Sequence, residues 1–120
     1  MGGSSKAWDS EVVRKWLESR FEAARLEQAS ADKRGYEARD DYDKAAAEEW
    51  VCRKLMAAGR SDDQAAFAAR LKGLLAQDEY SISGIHDDRR FDRYVRASLR
   101  RLIKMTKAND GFANTLRYQG

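Results

Sequence analysis

The residues best suited to chemistry in this sequence are the arginines and lysines between positions 89 and 107. At about 100° per helical residue, six of them fall within one strip roughly 80° wide and about 27 Å long: Arg89, Arg93, Arg96, Arg100, Lys104 and Lys107. Arg90 and Arg101 flank the six, and we call all eight residues the basic strip. Most of them are arginines, whose planar guanidinium groups form paired hydrogen bonds with phosphate or carboxylate. The spacing therefore predicts a site for an anionic partner.

The basic strip lies opposite the apolar positions of the same predicted helix, Phe91, Val95, Leu99 and Leu102, and it contains no acid. Asp92, the internal acid of this helix, lies nearer to the apolar edge. Like charges in a row repel one another, and a solvent-exposed helix face ordinarily mixes both signs, as the first predicted helix does. Two interpretations stay open, a solvated face that happens to be basic and a surface that contacts an anion.

The partner that the basic strip favours is a nucleic-acid backbone, DNA or RNA, within a nucleoprotein assembly. The strip contains no Asn or Gln that would read bases, so we expect salt-dependent binding with little sequence preference. No aromatic residue alternates with the cations, so base stacking is not predicted. A membrane partner is not expected either, because the apolar side of this helix is needed for the core.

The alternative partner is an acidic protein surface. On this interpretation the protein is an interaction domain or an inhibitor-like helical domain. The acidic stretch 37–49 is a candidate for that surface, either within the same chain or in a second copy, and the second case would make a homo-oligomer. Arg20, Trp8 and Trp16 are the further interface candidates, because tryptophan and arginine are enriched in protein interfaces.

Catalytic and metal chemistry find little support in the residue types. His86 and Cys52 are the single histidine and cysteine, so no Cys/His cluster for zinc exists, and the Glu-x-x-His pairs of di-iron bundles are absent. Neither a nucleophile elbow nor a phosphate-binding glycine loop occurs, which leaves a Cys52–His86 dyad as the remaining nucleophile hypothesis. We expect Cys52 to be a buried structural residue instead. The sequence predicts a protein that is not an enzyme and uses no cofactor or metal.

Composition limits the class of protein. The chain has 120 residues, no proline, 42% hydrophobic and 36% charged residues, which fits one small helical domain. A single cysteine precludes an internal disulfide and favours a reducing compartment, the cytoplasm. No apolar run approaches the ~20 residues of a membrane span. The net charge of +3 is uneven, because residues 1–86 carry −2 and residues 87–120 carry +5.

Four segments with helical periodicity must position these residues, over about 9–29, 36–58, 62–78 and 88–107. The first helix ends near Ser30 or near Arg34 with Gly35 as its C′ residue, or it continues through Gly35 at a cost of ~1 kcal/mol. A capping box that begins at Ser61 predicts a third helix from Asp62. Amphipathic helices with short connections predict an all-α fold, a small helical bundle of about four helices. We expect a flexible leader at 1–8, one bundle domain at 9–108 and a C-terminal tail at 109–120.

Two charged features have alternatives that a structure can separate. Arg20 lies inside the apolar stripe of the first helix, either as a snorkelling side chain at its edge or paired with a carboxylate in a buried or interfacial position. The acidic run at 40–43 lacks the alternation and the glycine of a calcium loop. We therefore expect this run to be a solvated helix face with an Asp40–Lys44 pair.

Overall fold

The computed structural model describes residues 9–59, 63–77 and 88–107. These residues form four α-helices and one 3-10 turn: α1 (Ser10–Arg34), the 3-10 turn (Tyr36–Ala38), α2 (Arg39–Ala57), α3 (Gln64–Leu75) and α4 (Asp88–Lys107). No strand occurs in these three ranges, and the prediction of an all-α helical bundle is confirmed. The predicted leader and tail lie outside the described residues, as do Trp8, Ser61 and His86. None of the described helices has the length and apolar character that crossing a membrane requires.

The two ends of α1 have clear local causes. The Asp9 carboxylate accepts hydrogen bonds from the backbone N–H groups of Glu11 (3.0 Å) and Val12 (3.2 Å), which a helix start would otherwise leave unpaired. At the other end Gly35 has a φ of +90°, and its N–H donates to the carbonyl groups of Ala31 and Asp32. Glycine adopts this left-handed conformation without steric cost. Of the predicted alternatives for this helix, the end near Arg34 followed by Gly35 is correct.

The start of α3 differs from the prediction. The expected start at Asp62 is wrong, because α3 begins at Gln64 with Asp63 as its N-cap. Asp63 has an extended backbone, and its carboxylate accepts a hydrogen bond from the N–H of Ala66 at 2.8 Å. Aspartate caps a helix as well as serine does, so a row of adjacent capping residues does not by itself decide which one is used.

The core lies where α2 and α4 meet. α2 packs against both α1 and α4, and α4 packs in turn against α3. Phe91, Val95 and Leu99 of α4 are fully buried, and the ring of Phe91 meets the ring of Trp50 edge to face, with 6.4 Å between their centroids. The apolar side of α4 is therefore fixed in the core as predicted, and its basic side faces outward.

Small residues build the contact between α1 and α2. Ala24, Ala31, Ala38 and Ala45 are all buried, and alanine side chains let two helices approach closely. Residues 27–44 contain few large apolar side chains, which is why the helical pattern there is weak in sequence. These buried alanines supply the apolar contact between the end of α1 and the start of α2.

Candidate anion-binding surface

Five cations of the basic strip lie exposed on the outer face of α4: Arg89, Arg93, Arg100, Arg101 and Lys104. They form no ion pair with any carboxylate of the described chain. We call these five residues the unpaired strip, and from first to last they span about 22 Å of helix axis. Lys107 is the last residue of α4, and its side chain lies outside the described part of the protein.

The exposed arginines of α1 behave differently. Arg14 pairs with the carboxylates of Glu11 (2.8 Å) and Glu18 (3.2 Å). Arg25 and Arg34 each lie within 4.0 Å of two carboxylates as well. The five cations of the unpaired strip instead share one face of α4 with no paired carboxylate among the described residues, and together they raise the electrostatic potential of that face.

Arg96 differs from the expectation of an exposed cation. Its half-buried guanidinium group donates to the backbone carbonyl groups of Leu75 (3.2 Å) and Gln77 (2.9 Å), and its Nε donates to Asp92 at 3.0 Å. A helix leaves its last carbonyl groups unpaired, and a cation also suits the negative end of the helix dipole. Arg96 therefore holds the end of α3 against α4. The helical pattern of α4 alone could not show this, because the neighbouring helix end creates the role.

Arg90 also has a role inside the protein. Its Nε donates to the Asp43 carboxylate at 2.7 Å, with an oxygen of Asp40 at 3.8 Å. Asp43 is only 2% exposed, so a buried ion pair joins α2 to α4. The Tyr94 hydroxyl donates to Asp40, and this hydrogen bond, followed by burial, raises the pKa of Tyr94. The expectation of a solvated acidic face is wrong at Asp43, and Asp40 bonds to residues of α4 instead of forming the predicted pair with Lys44.

A cleft of about 210 Å³ opens beside the unpaired strip, between α1 and α4 and above α2. All three helices contribute side chains to its lining, among them Trp16, Arg20, Glu48, Cys52, Arg101 and Met105. Arg101 thus belongs both to the unpaired strip and to the cleft. The structure brings Arg101 together with Trp16 and Arg20 of α1, which the sequence predicted only as separate interface candidates.

Arg20 lies at the rim of this cleft. Its Nε donates to Glu48 at 2.9 Å, and a second guanidinium N–H donates to the same oxygen. The guanidinium carbon lies 5.9 Å from the centre of the Trp16 ring, and 41% of the side chain is exposed. Each of the two alternatives for Arg20 is therefore correct in part: the side chain lies at the edge and is partly exposed, and it is also paired with a carboxylate. Because Glu48 compensates Arg20, Arg101 supplies the uncompensated charge of the cleft.

Cys52 lies on the floor of the cleft and is 3% exposed. Burial, followed by the negative charge of Glu48, raises the pKa of its thiol from 9.0 to about 12. A cysteine nucleophile reacts as the thiolate, and this thiol stays protonated at neutral pH. His86, the other member of the hypothetical dyad, lies outside the described residues.

The raised pKa of Cys52 predicts a loss of stability in alkali. The unfolded chain releases the thiol proton near pH 9.0, whereas the folded protein holds it to about pH 12. The free energy of unfolding should therefore be constant below the lower value and fall by up to ~1.4 kcal/mol per pH unit above it. Urea unfolding of the wild type and of Cys52→Ala, at about pH 8 and about pH 10, measures the difference. Tyr94→Phe is the control for the other raised pKa, and an equal fall in wild type and Cys52→Ala would contradict the assignment.

Comparison of the chain with protein-family models, curated proteins and solved structures finds no match. In the ranges that the structure describes, no three His, Cys, Asp or Glu side chains are grouped to hold a metal ion.

Proposed function

We propose that this protein is a non-enzymatic binding module that contacts a nucleic-acid backbone through the unpaired strip of α4, as one component of a nucleoprotein assembly. The grouping of five unpaired cations on one face of α4 carries the proposal. The exposed arginines of α1 lie against carboxylates of the same chain, whereas the five cations of the unpaired strip have no such partner among the described residues. Self-repulsion of like charges opposes the compact state, and bound phosphates would remove that repulsion.

The dimensions of the unpaired strip suit a phosphate backbone. The strip is about 22 Å long, and phosphates of one DNA strand recur at about 3.4 Å along the helix axis. Four of the five cations are arginines, whose guanidinium groups bind phosphate oxygens through two parallel hydrogen bonds. Phosphate contacts carry no sequence information, so we expect similar affinity for unrelated sequences.

Two observations support a protein without catalytic activity: the state of its one cysteine and the structural roles of two arginines of α4. Cys52 is buried with a protonated thiol, which does not favour nucleophilic catalysis. Arg90 and Arg96 bond to Asp43 and to the end of α3, so their contacts are explained by packing between helices.

The proposal is tested by replacing Arg93, Arg100 and Lys104 together with glutamine. These side chains are exposed and form no ion pair with any other described residue, so the fold should persist. Arg96 is left in place because it holds the end of α3 against α4. Affinity for duplex DNA should fall by a similar factor for unrelated sequences. The slope of log K against log salt should flatten by about 0.9 for each duplex phosphate contact that is lost. Fluorescence anisotropy over a salt series measures both quantities.

A matched control removes the same amount of charge elsewhere. Lys15, Lys33 and Arg53 are exposed and form no ion pair within the described ranges, and their triple replacement with glutamine should leave the salt slope close to that of the wild type. Equal losses in the two triple variants would mean that net charge, and not the unpaired strip, causes binding. A wild type with no nucleic-acid affinity at physiological salt would overturn the proposal and favour an acidic protein as the partner.

A further inference from the structure

We infer that the cleft between α1 and α4 holds an unpaired base of a single-stranded nucleic acid, while the unpaired strip contacts the backbone of the same strand. This inference rests on the proposed function and narrows its ligand from nucleic acids in general to single strands. Bases of a duplex are stacked and paired, whereas those of a single strand are free to turn toward a protein surface.

Arg101 connects the two parts of this surface. It lines the cleft, and on α4 it directly follows Arg100 and precedes Lys104 by three residues, so it lies on the helix turn that the strip also uses. A phosphate held by these cations places the attached sugar and base at the mouth of the cleft. Because Glu48 already pairs with Arg20, Arg101 remains available for that phosphate.

The size of the cleft suits one ring system. Sites that enclose a whole drug-sized ligand measure about 300–1,000 Å³, and this cleft measures about 210 Å³. It is therefore too small for a complete nucleotide and has room for the flat part of one. The sugar and the phosphate would stay outside, where the cations of α4 lie.

The walls of the cleft offer surfaces on which bases stack. Trp16 is half-buried, and Arg20, fixed by Glu48, lies over its ring with the guanidinium carbon 5.9 Å from the ring centre. A base would therefore stack on the outer guanidinium plane or on the part of the ring that Arg20 leaves uncovered. Bases of single-stranded nucleic acids stack on aromatic rings and on guanidinium planes, with little dependence on base identity. Leu102 and Met105 add apolar surface from α4. The aromatic ring comes from α1 and the cations come from α4, which is why the pattern of α4 alone did not predict base stacking.

The experiment compares three ligands at one low salt concentration: labelled oligothymidylate, an abasic oligomer of the same length and charge, and a duplex. One base stacked on an aromatic ring contributes about five- to 150-fold in affinity. We therefore expect the wild type to bind oligothymidylate at least about fivefold more tightly than the abasic oligomer. The abasic oligomer should still bind, because the unpaired strip needs only its phosphates.

Two substitutions of Trp16 locate the stacking surface. Trp16→Phe keeps an aromatic ring and should keep most of the preference for oligothymidylate, whereas Trp16→Leu keeps apolar packing and should abolish it. Tyr36→Leu is the matched control, because Tyr36 is an aromatic residue that is 76% exposed and does not line the cleft. This control should leave the preference unchanged. Circular dichroism of each variant confirms that the helices are intact.

The outcomes separate the inference from the proposed function. If no ligand binds, both are wrong. If the wild type binds oligothymidylate and the abasic oligomer equally, or binds the duplex most tightly, the inference is wrong while backbone binding stands. The comparison of ligands on the wild type needs no variant, so it decides the matter even where Trp16→Leu fails to fold. A variant that weakens both single-stranded ligands equally would assign Trp16 a structural role and overturn the inference.

Discussion

Asp43→Ala is expected to lower the free energy of unfolding by about 3 kcal/mol, because it removes the buried carboxylate of the pair and leaves the Arg90 charge with the more distant, exposed carboxylate of Asp40 at 3.8 Å. Asp43 is 2% exposed and accepts the hydrogen bond of Arg90 Nε at 2.7 Å. The Arg90 side chain is itself only 15% exposed, so water replaces the lost carboxylate poorly. Urea unfolding followed by circular dichroism measures the change.

A neighbouring residue and a double variant test the cause. Asp41 lies two positions earlier, is exposed and pairs with Arg34 at 3.2 Å, so Asp41→Ala should cost at most ~1 kcal/mol. Arg90→Met combined with Asp43→Ala should recover part of the loss, because no buried charge of this pair then remains and Asp40, which also lies near Arg90, is exposed to water. A cost for Asp43→Ala as small as that of Asp41→Ala would show that the pair does not join α2 to α4 in solution.

The helices were largely predictable from sequence because their signals are local. In α4 the fully buried Phe91, Val95 and Leu99 recur every four residues, and this spacing by itself defines one side of a helix. The N-cap at Asp9 and the end at Gly35 follow from the side-chain oxygen of one residue and the missing Cβ of the other. The same reasoning missed the start of α3, where adjacent residues are equally able to cap.

The ion pairs between different helices were not predictable residue by residue, because each of them joins positions far apart in the chain. Asp43 and Arg90 lie 47 positions apart, and Arg20 and Glu48 lie 28 positions apart. A helical pattern shows which residues share a face, but it does not show which neighbouring helix faces them. The position of Arg20 inside the apolar stripe of α1 was a local signal, but it left open whether the side chain snorkels to the edge or pairs with a carboxylate, and it did not reveal which carboxylate.

The candidate site was predictable only in part. The exposed positions of Arg89, Arg93 and Arg100 follow from the face of α4 opposite the core. Arg90 and Arg96 share that pattern but bond to α2 and α3, because the strip has edges where other helices meet it. The cleft requires three helices at once, so no single segment of the sequence contains the pattern for it.

Phe91→Ala is expected to cost about 4 kcal/mol, a larger loss than that of Asp43→Ala, because it leaves a cavity at the centre of the core. Phe91 is fully buried, and its edge-to-face contact with Trp50 adds to the loss beyond the buried area. Small domains have about 5–15 kcal/mol of stability in total, so this variant should be close to its unfolding threshold. Unfolding in urea, followed by circular dichroism and tryptophan fluorescence, measures the effect.

Phe91→Leu is the matched control, since it keeps most of the buried apolar volume and should cost clearly less. Phe91 and the unpaired strip lie on opposite sides of α4, so nucleic-acid binding by Phe91→Ala should decrease only as the folded fraction decreases. The glutamine variant of Arg93, Arg100 and Lys104 should instead lose affinity while its unfolding curve stays near that of the wild type. A Phe91→Ala variant that remains fully folded yet loses affinity would contradict this division of α4 into a core side and a binding side.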